Sequence, residues 1–259
     1  MNNKINESID IVDKFIGSAK VTEITIGCSD SKVYKIEKED NTYYLKVATK
    51  GLLTREYNAL NWLQGKLEVP KIVLYDDTTE KEYLITESIS GEMVCSDNMI
   101  NNPDKALDII VEAFNTLYKV DIANCPFNVG IDYKLNIIEN NVKNDLIDYN
   151  DLKDNTKEKF DSLEEIVKYL KDNKFKEELC FSHGDTSLPN IFANDNHFSG
   201  FIDVGECGIA DKWFDLAICE KSIIRNYGQE YVKKFYEKLN IKEDRFKIDY
   251  YLLMMKLYL

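Results

Sequence analysis

Three oxygen-bearing side chains stand in an order that chemistry can use: Asp185, Asn190 five residues on, and Asp203 thirteen beyond that. The first two lie in His183-Gly-Asp-Thr-Ser-Leu-Pro-Asn190, directly after a strand-like run. Asp203 ends a second apolar run, just before Val204-Gly205. Phosphoryl transfer needs such a set, because one acceptor must orient the attacking hydroxyl while other oxygens hold magnesium on the phosphates. Magnesium keeps several waters and takes only one or two protein carboxylates, so Asp203 with the amide oxygen of Asn190 suffices as its protein ligands. Taken singly, the three read equally well as an N-cap, a turn asparagine and a strand-end aspartate. The order of all three is what points to transfer chemistry.

The same spacing of Asp and Asn occurs in the H-R-D-x-x-x-x-N loop of protein kinases, with Asp203 where the D-F-G aspartate would fall. A lysine is then expected on the phosphates, and Lys46 sits mid-strand on the face it shares with Tyr44 and Ala48. Its ordinary alternative is an edge-strand lysine. Glu56 lies on a helical stripe of Leu52, Glu56, Leu60 and Leu63. A carboxylate among leucines must be paired, and Lys46 is the natural partner, holding phosphate contacts in place. The alternative is a half-exposed face where Glu56 reaches water. Tyr44 lies about 7 Å from Lys46 along the strand, suited to stacking on adenine. The run Leu84 to Ser88, including Ile85 and Thr86, offers backbone groups to the adenine edge. No G-x-x-x-x-G-K-[ST] or G-x-G-x-x-G occurs, so Gly27 to Ser31, with Ser29 as a donor, is a phosphate cover by position only.

These residues need elements to position them. Strands are expected at 20–27, 32–37, 42–48, 71–75 and 82–87, with a helix at 51–65 after the third. From about residue 101 helices dominate, at 104–118, 133–144, 157–171, 213–226, 229–239 and 243 to the end. A β insert at 179–194 and 198–204 interrupts them. This is an α+β plan of two lobes, residues 1–90 binding nucleotide and residues 91–259 carrying catalysis and the acceptor, with a bend near Gly91.

The chain has 259 residues, 44% hydrophobic and 31% charged, ample for a sizeable core. Its 46 acids against 33 bases give a net charge of -13, which argues against nucleic-acid and anionic-membrane partners. That charge suits a cationic ligand, or serves solubility alone. No apolar run reaches the length of a membrane span, and Met1 to Asp10 is polar without a signal-peptide core, so a cytoplasmic protein is expected. Six scattered cysteines form no C-x-x-C pair, and two histidines argue against His-rich metal chemistry.

At these residues the chain resembles the aminoglycoside 3'-phosphotransferase family over nearly its whole length. The likeness runs through Gly27 to Lys35, Tyr44-Leu-Lys46, Arg55-Glu56, Trp62-Leu, Gly65-Lys-Leu67 and Val69-Pro-Lys71. It continues in Phe181-Ser-His-Gly-Asp185, Asn190-Ile-Phe, Ser199-Gly-Phe-Ile-Asp203 and Ala210-Asp-Lys-Trp213-x-Asp215. The resemblance implies a protein-kinase-like fold, its first lobe an antiparallel sheet plus helix and its second mostly helical. It also implies ATP (or GTP) with magnesium, a small-molecule hydroxyl acceptor and a monomer or weak dimer. Asp185 would orient the hydroxyl, Asn190 and Asp203 hold the metal, Lys46 and Glu56 clamp the phosphates and Tyr44 stack the adenine. Asp215 would brace the loop that His183 opens. The chain departs from the family in the acceptor half. Glu206 replaces an arginine, and Arg225, Asn226 and Lys256 stand where acids face antibiotic amines. Glu206 and the loop acids Asp148, Asp151 and Asp154 are the remaining acceptor candidates. The alternative acceptor is another small hydroxyl compound with weak or no aminoglycoside activity. A non-catalytic nucleotide-binding module would have lost a catalytic group, and none is lost.

Overall fold

A computed structural model describes residues 11–25, 31–78 and 80–258. Ser29 and the rest of the expected phosphate cover before Ser31 lie outside the described residues. The chain divides into two compact units. One comprises the residues up to Glu92 together with Ile191–Glu206, the other Met93–Asn190 with the chain from Cys207 onward. The expected lobes, 1–90 and 91–259, are contiguous in sequence, whereas these units are not.

The first unit is built on an antiparallel sheet of β1 (Lys20–Ile24), β2 (Lys32–Lys38), β3 (Asn41–Thr49), β4 (Ile72–Asp77) and β5 (Lys81–Glu87), in the order β1-β2-β3-β5-β4. Alternation sorts its residues. Tyr34, Ile36, Leu45, Val47, Tyr83 and Ile85 pack with Val12 and Ile16 into one buried cluster. The opposite face of β3 carries Tyr44 and Lys46. Register sets Lys46 between Val33 and Leu84, and Tyr44 between Lys35 and Thr86.

Helix α1 (Thr54–Leu63) buries Ala59, Leu60 and Leu63. Burial of each leucine contributes about 2 kcal/mol relative to exposure. Leu53, at the N-cap, supplies no side-chain cap, so the strand residue Glu82 does so. Its carboxylate accepts from Leu53 N (2.5 Å), Thr54 N (3.1 Å) and Thr54 Oγ1 (2.5 Å). A carboxylate there also complements the helix dipole. The helix therefore starts three residues later than expected. Leu52 falls in the preceding turn, 55% exposed, and Leu53 is buried instead.

A hairpin of Ile191–Asn194 and His197–Phe201 completes this unit, turning on Asp195 and Asn196 in the left-handed region that short hairpins favour. Its hydrogen bonds explain its place: Phe201 N donates to Glu68 O (2.9 Å) and Ser199 Oγ to Ser90 O (2.7 Å). Gly91, at φ +98°, sits so close that a Cβ there would lie 1.9 Å from Ala193 O. The glycine is needed for that approach as well as for the bend.

The second unit is mostly helical: α2 (Pro103–Leu117), α3 (Ile131–Lys143), α4 (Leu163–Asp172), α5 (Lys212–Asn226), α6 (Glu230–Leu239) and α7 (Arg245–Met254). Helix α4 starts six residues later than expected. The Ser162 side chain accepts from Glu165 N, and Glu165 Oε2 accepts from Asp161 N. The first bond is the serine cap of the S-x-x-E pattern, and the second ties the residue before that cap to the same turn. Helix α5 buries Trp213 through Glu220 almost without interruption. Beneath it lies an antiparallel pair, Leu179–Ser182 with Gly208–Asp211. The second strand escaped sequence reading because four residues beginning with glycine show too little alternation. Among the described residues no helix is long and apolar enough to cross a membrane.

Candidate active site

In the first unit, β3 and α1 bring Lys46 and Glu56 together. Lys46 Nζ donates to Glu56 Oε1 (2.7 Å) and Oε2 (2.9 Å), and also to Asp203 Oδ1. The Glu56 side chain is 14% exposed and that of Asp203 50%. Burial works to lower the Lys46 ammonium, but the carboxylates of Glu56 and Asp203 together overturn it and hold its pKa up. Burial pushes the Glu56 carboxyl up; Lys46 opposes this and the Asp203 charge adds to it. One ammonium thus serves two carboxylates and leaves the group net negative, suited to a cation beside Asp203. Asp203 itself is in the left-handed region at φ +57°, on the turn that follows the hairpin. The short helical turn after it, Val204–Glu206, buries Val204 and leaves Glu206 exposed.

Tyr44, half-buried, shares the Lys46 face as expected from alternation. The adenine-edge expectation narrows. Ile85 and Thr86 lie in a strand paired on both sides, and the Ser88 amide donates to Thr42 O (3.0 Å). The Ser88 carbonyl keeps acceptor capacity.

In the second unit, the strand Leu179–Ser182 delivers the chain to a loop hung from helix α5. The fully buried Asp215 carboxylate accepts from His183 N (2.8 Å) and Gly184 N (3.0 Å). Burial raises its pKa, while His183 and these amides favour the charged form. Thr186 Oγ1 donates to Asp215 O (2.6 Å), and Leu188 N to Ser222 Oγ (3.0 Å). Thr186 and Ser222 were missed in the sequence. Their signal was faint: polar residues beside Asp215 and one helix face below it.

The loop closes on Asp185. Ser187 N donates to its Oδ1 (3.2 Å) and Asn190 Nδ2 to its Oδ2 (2.9 Å), while Asp185 N donates to His183 Nδ1 (3.2 Å). Asn190 Nδ2 also reaches Asp185 O (3.0 Å). With its amide nitrogen committed to Asp185, Asn190 turns its amide oxygen away from that carboxylate, as a metal ligand must. Among the described residues no group of three or more His, Cys, Asp or Glu could hold a metal. Asp203 in the first unit and the Asn190 amide oxygen in the second are each a hard oxygen donor of the kind magnesium takes and zinc does not favour.

The acceptor candidates divide. Asp148 uses its carboxylate to cap its own turn, accepting from Asn150 N (2.8 Å) and Nδ2 (3.0 Å). Asp151 is exposed, and Asp154 opens the helical turn Asp154–Lys157. Of the departures, Arg225 is exposed, Asn226 Nδ2 donates to Ser222 O (2.8 Å), and Lys256 Nζ donates to Thr156 Oγ1.

Residues 20–247 match the sequence model of a phosphotransferase enzyme family. Proteins named aminoglycoside 3'-phosphotransferase from Enterococcus faecalis and Staphylococcus aureus are each 35% identical over 254 residues, covering 95% of this chain and 96% of theirs. Among solved structures, an aminoglycoside-3'-phosphotransferase of type VIII superposes with a TM-score of 0.83 at 20% identity, over 99% of this chain and all of that one. An aminoglycoside phosphotransferase from Streptomyces rimosus, in complex with ADP and streptomycin, gives a TM-score of 0.80 at 20% identity over 98% of both chains. These structures share the α+β fold described above.

Proposed function

The chain belongs to the phosphotransferase enzyme family, and within it we propose that the protein transfers the γ-phosphoryl group of ATP to a hydroxyl of an aminoglycoside-type antibiotic. The observation that carries this reading is the Lys46 ammonium, held by Glu56 and Asp203 on the face it shares with Tyr44. On this reading Tyr44 stacks the adenine, the Ser88 carbonyl accepts from its amine, and Lys46 takes the phosphate oxygens. Glu56 keeps that ammonium in place. Magnesium, for which Asp203 and the Asn190 amide oxygen are the ligands expected from the sequence, would supply charge neutralisation on the phosphates.

Asp185 performs the orienting step. Its carboxylate is fixed by Ser187 N and Asn190 Nδ2 and accepts a hydrogen bond from the acceptor hydroxyl. The hydroxyl oxygen attacks the γ-phosphorus as the bond to the β–γ bridging oxygen breaks and ADP departs. The hydroxyl proton passes to an Asp185 oxygen and then to water. In a loose transition state the positioning matters more than base strength. Asp215, two amides away, is a positioning residue for this loop.

A second acceptor class is favoured by one observation. The exposed Arg225, the self-engaged Asn226 and Lys256 put no acid where the resembled family faces antibiotic amines. Labelled ATP with a panel of kanamycin-type, neomycin-type and non-aminoglycoside hydroxyl compounds decides. Efficient turnover of an aminoglycoside, abolished by Asp185→Ala in a folded protein, is expected. A non-aminoglycoside preferred by orders of magnitude would refute the aminoglycoside reading, and full activity in Asp185→Ala would refute the mechanism.

A further inference from the structure

Helix α5 meets the loop that carries Asp185 along one stripe of its surface. Asp215, Ser222 and Asn226 follow one another at spacings of seven and four residues. Seven residues are two turns of an α-helix, so Ser222 lies on the Asp215 face about 10 Å further along the axis. Asp215 anchors the beginning of the loop through the His183 and Gly184 amides. Ser222 anchors its end. Leu188 N donates to Ser222 Oγ (3.0 Å), with Leu188 fully buried and Ser222 8% exposed. One turn beyond, Asn226 is the last residue of the helix and half-buried. Its Nδ2 donates back to Ser222 O (2.8 Å) and, at longer range, to Ser222 Oγ (3.4 Å).

The end of the loop is the part that aims the Asp185 carboxylate. Both carboxylate oxygens accept from it, Oδ1 from Ser187 N (3.2 Å) and Oδ2 from Asn190 Nδ2 (2.9 Å). Leu188 lies between these two donors and opens the short turn Leu188–Asn190, in which Asn190 N donates to Ser187 O (2.9 Å). A buried backbone amide needs an acceptor, and a serine hydroxyl has two lone pairs to offer. Leu188 N takes one and Asn226 Nδ2 approaches the other. The Asn226 amide, one of the departures noted in the sequence, thus has a use inside the chain. It donates where a carboxylate would set oxygen against oxygen.

We propose that Ser222, oriented by Asn226, is a positioning residue for the transfer: it fixes Leu188, and through Leu188 the two donors that aim the Asp185 carboxylate. Asp215 and Ser222 hold opposite ends of the loop, and helix α5 sets the distance between them. The kinetic consequence rests on the phosphotransferase reading given above, whereas the anchor does not depend on which hydroxyl compound is the acceptor.

The test compares the full chain, labelled with nitrogen-15, as wild type, Ser222→Ala, Ser222→Thr and Asn226→Asp. Amide hydrogen exchange followed by NMR without ligands reads the anchor. Leu188 should exchange about tenfold faster or more in Ser222→Ala and Asn226→Asp, while His183 and Gly184, held by Asp215, stay within about twofold of wild type. Steady-state kinetics reads the consequence. The kcat should fall about tenfold to a hundredfold in Ser222→Ala and about tenfold in Asn226→Asp, with the Michaelis constant for ATP within about twofold. Ser222→Thr, which keeps the acceptor oxygen, should restore both readouts to within about threefold of wild type. Because Ser222 acts through Asp185, Ser222→Ala should cost less than about twofold further in an Asp185→Ala background. Faster exchange spread evenly over the loop with kcat unchanged would assign a structural role only and overturn the proposal. Unchanged Leu188 exchange, or an undiminished loss of kcat in the Asp185→Ala background, would overturn it as well. A wild type that turns over no acceptor would instead refute the phosphotransferase reading, and the exchange pattern would still decide the anchor.

Discussion

Replacing Glu56 by glutamine removes one charge and almost no volume from the cluster that holds Lys46. The wild-type side chain is 14% exposed and accepts two bonds from Lys46 Nζ, at 2.7 and 2.9 Å. Charge-assisted hydrogen bonds contribute about 1.5–3 kcal/mol each, and an unpartnered buried charge costs about 3–5 kcal/mol. Lys46 is not left alone in the variant, because Asp203 still accepts from it and the glutamine oxygen can accept one bond. The net loss of stability is therefore about 1–2 kcal/mol, a fall in Tm of roughly 2–6 °C for a chain of this size. The functional effect follows from where the ammonium goes. Without the Glu56 charge, Lys46 is drawn toward Asp203 and away from the position expected to meet phosphate. The Michaelis constant for ATP should rise about tenfold, equivalent to about 1.4 kcal/mol, with the Michaelis constant for the acceptor nearly unchanged. Steady-state kinetics with ATP varied, together with thermal unfolding, measures both. A cycle with Lys46→Met isolates the pair, and its coupling energy should exceed 1 kcal/mol. Unchanged ATP affinity and stability in Glu56→Gln, or simple additivity in the double variant, would refute the reading of this helix face.

Three further outcomes are expected. Asp185→Ala should lower kcat by about a hundredfold to ten-thousandfold while Tm and ATP binding by calorimetry stay near wild type, since Asp215 anchors the His183 and Gly184 amides of the loop independently and Asn190 Nδ2 keeps its bond to the residue-185 carbonyl. Asp215→Asn turns an amide NH2 toward the His183 or Gly184 N–H and should destabilise the fold by about 2–4 kcal/mol in urea titration, with kcat falling more than the ATP Michaelis constant. Glu82, held low at about 2 by Thr54, Tyr75 and the Leu53 amide against the opposing effect of burial, stabilises above its ordinary pKa near 4.5 and loses that stabilisation as pH falls toward 2. Glu82→Gln should thus cost about 1–2 kcal/mol, after allowance for screening, at pH 7. Wild type and variant should converge in stability between pH 4.5 and 2, and parallel curves through that range would remove the carboxylate from the account.

Much of the site was legible because its residues lie in one short stretch or on one periodic face. His183 to Asn190 is a single loop, so five-residue spacing alone sets Asp185 beside Asn190, and the structure joins them at 2.9 Å. Lys46 and Glu56 were paired by two periodicities, alternation along β3 and the stripe of α1. That inference survived a wrong helix start, because shifting the boundary from 51 to 54 does not change the face on which Glu56 lies. What failed was whatever depends on long-range hydrogen bonds. Nothing near Thr54 announces that Glu82, 28 residues later, caps the helix. Equally, nothing in Ser88 announces that its amide belongs to Thr42. The strand Gly208–Asp211 exists because Leu179–Ser182 offers it a partner, which four residues cannot signal alone.

The electrostatics of the second unit show the same limit in another form. Net charge is a sum, and a sum of -13 suggests attraction for cations everywhere. Binding depends instead on which charges remain unneutralised at one place. Asp148, counted as an acceptor acid, has its carboxylate bonded within its own turn. Lys256, counted only as a lost acid, donates to the buried Thr156 hydroxyl. Among the expected acceptor residues, Glu206 is exposed at the end of its turn and Asp185 is held ready by its loop. Local pairing of this kind, rather than the charge of the whole chain, decides what an individual carboxylate or ammonium can still bind.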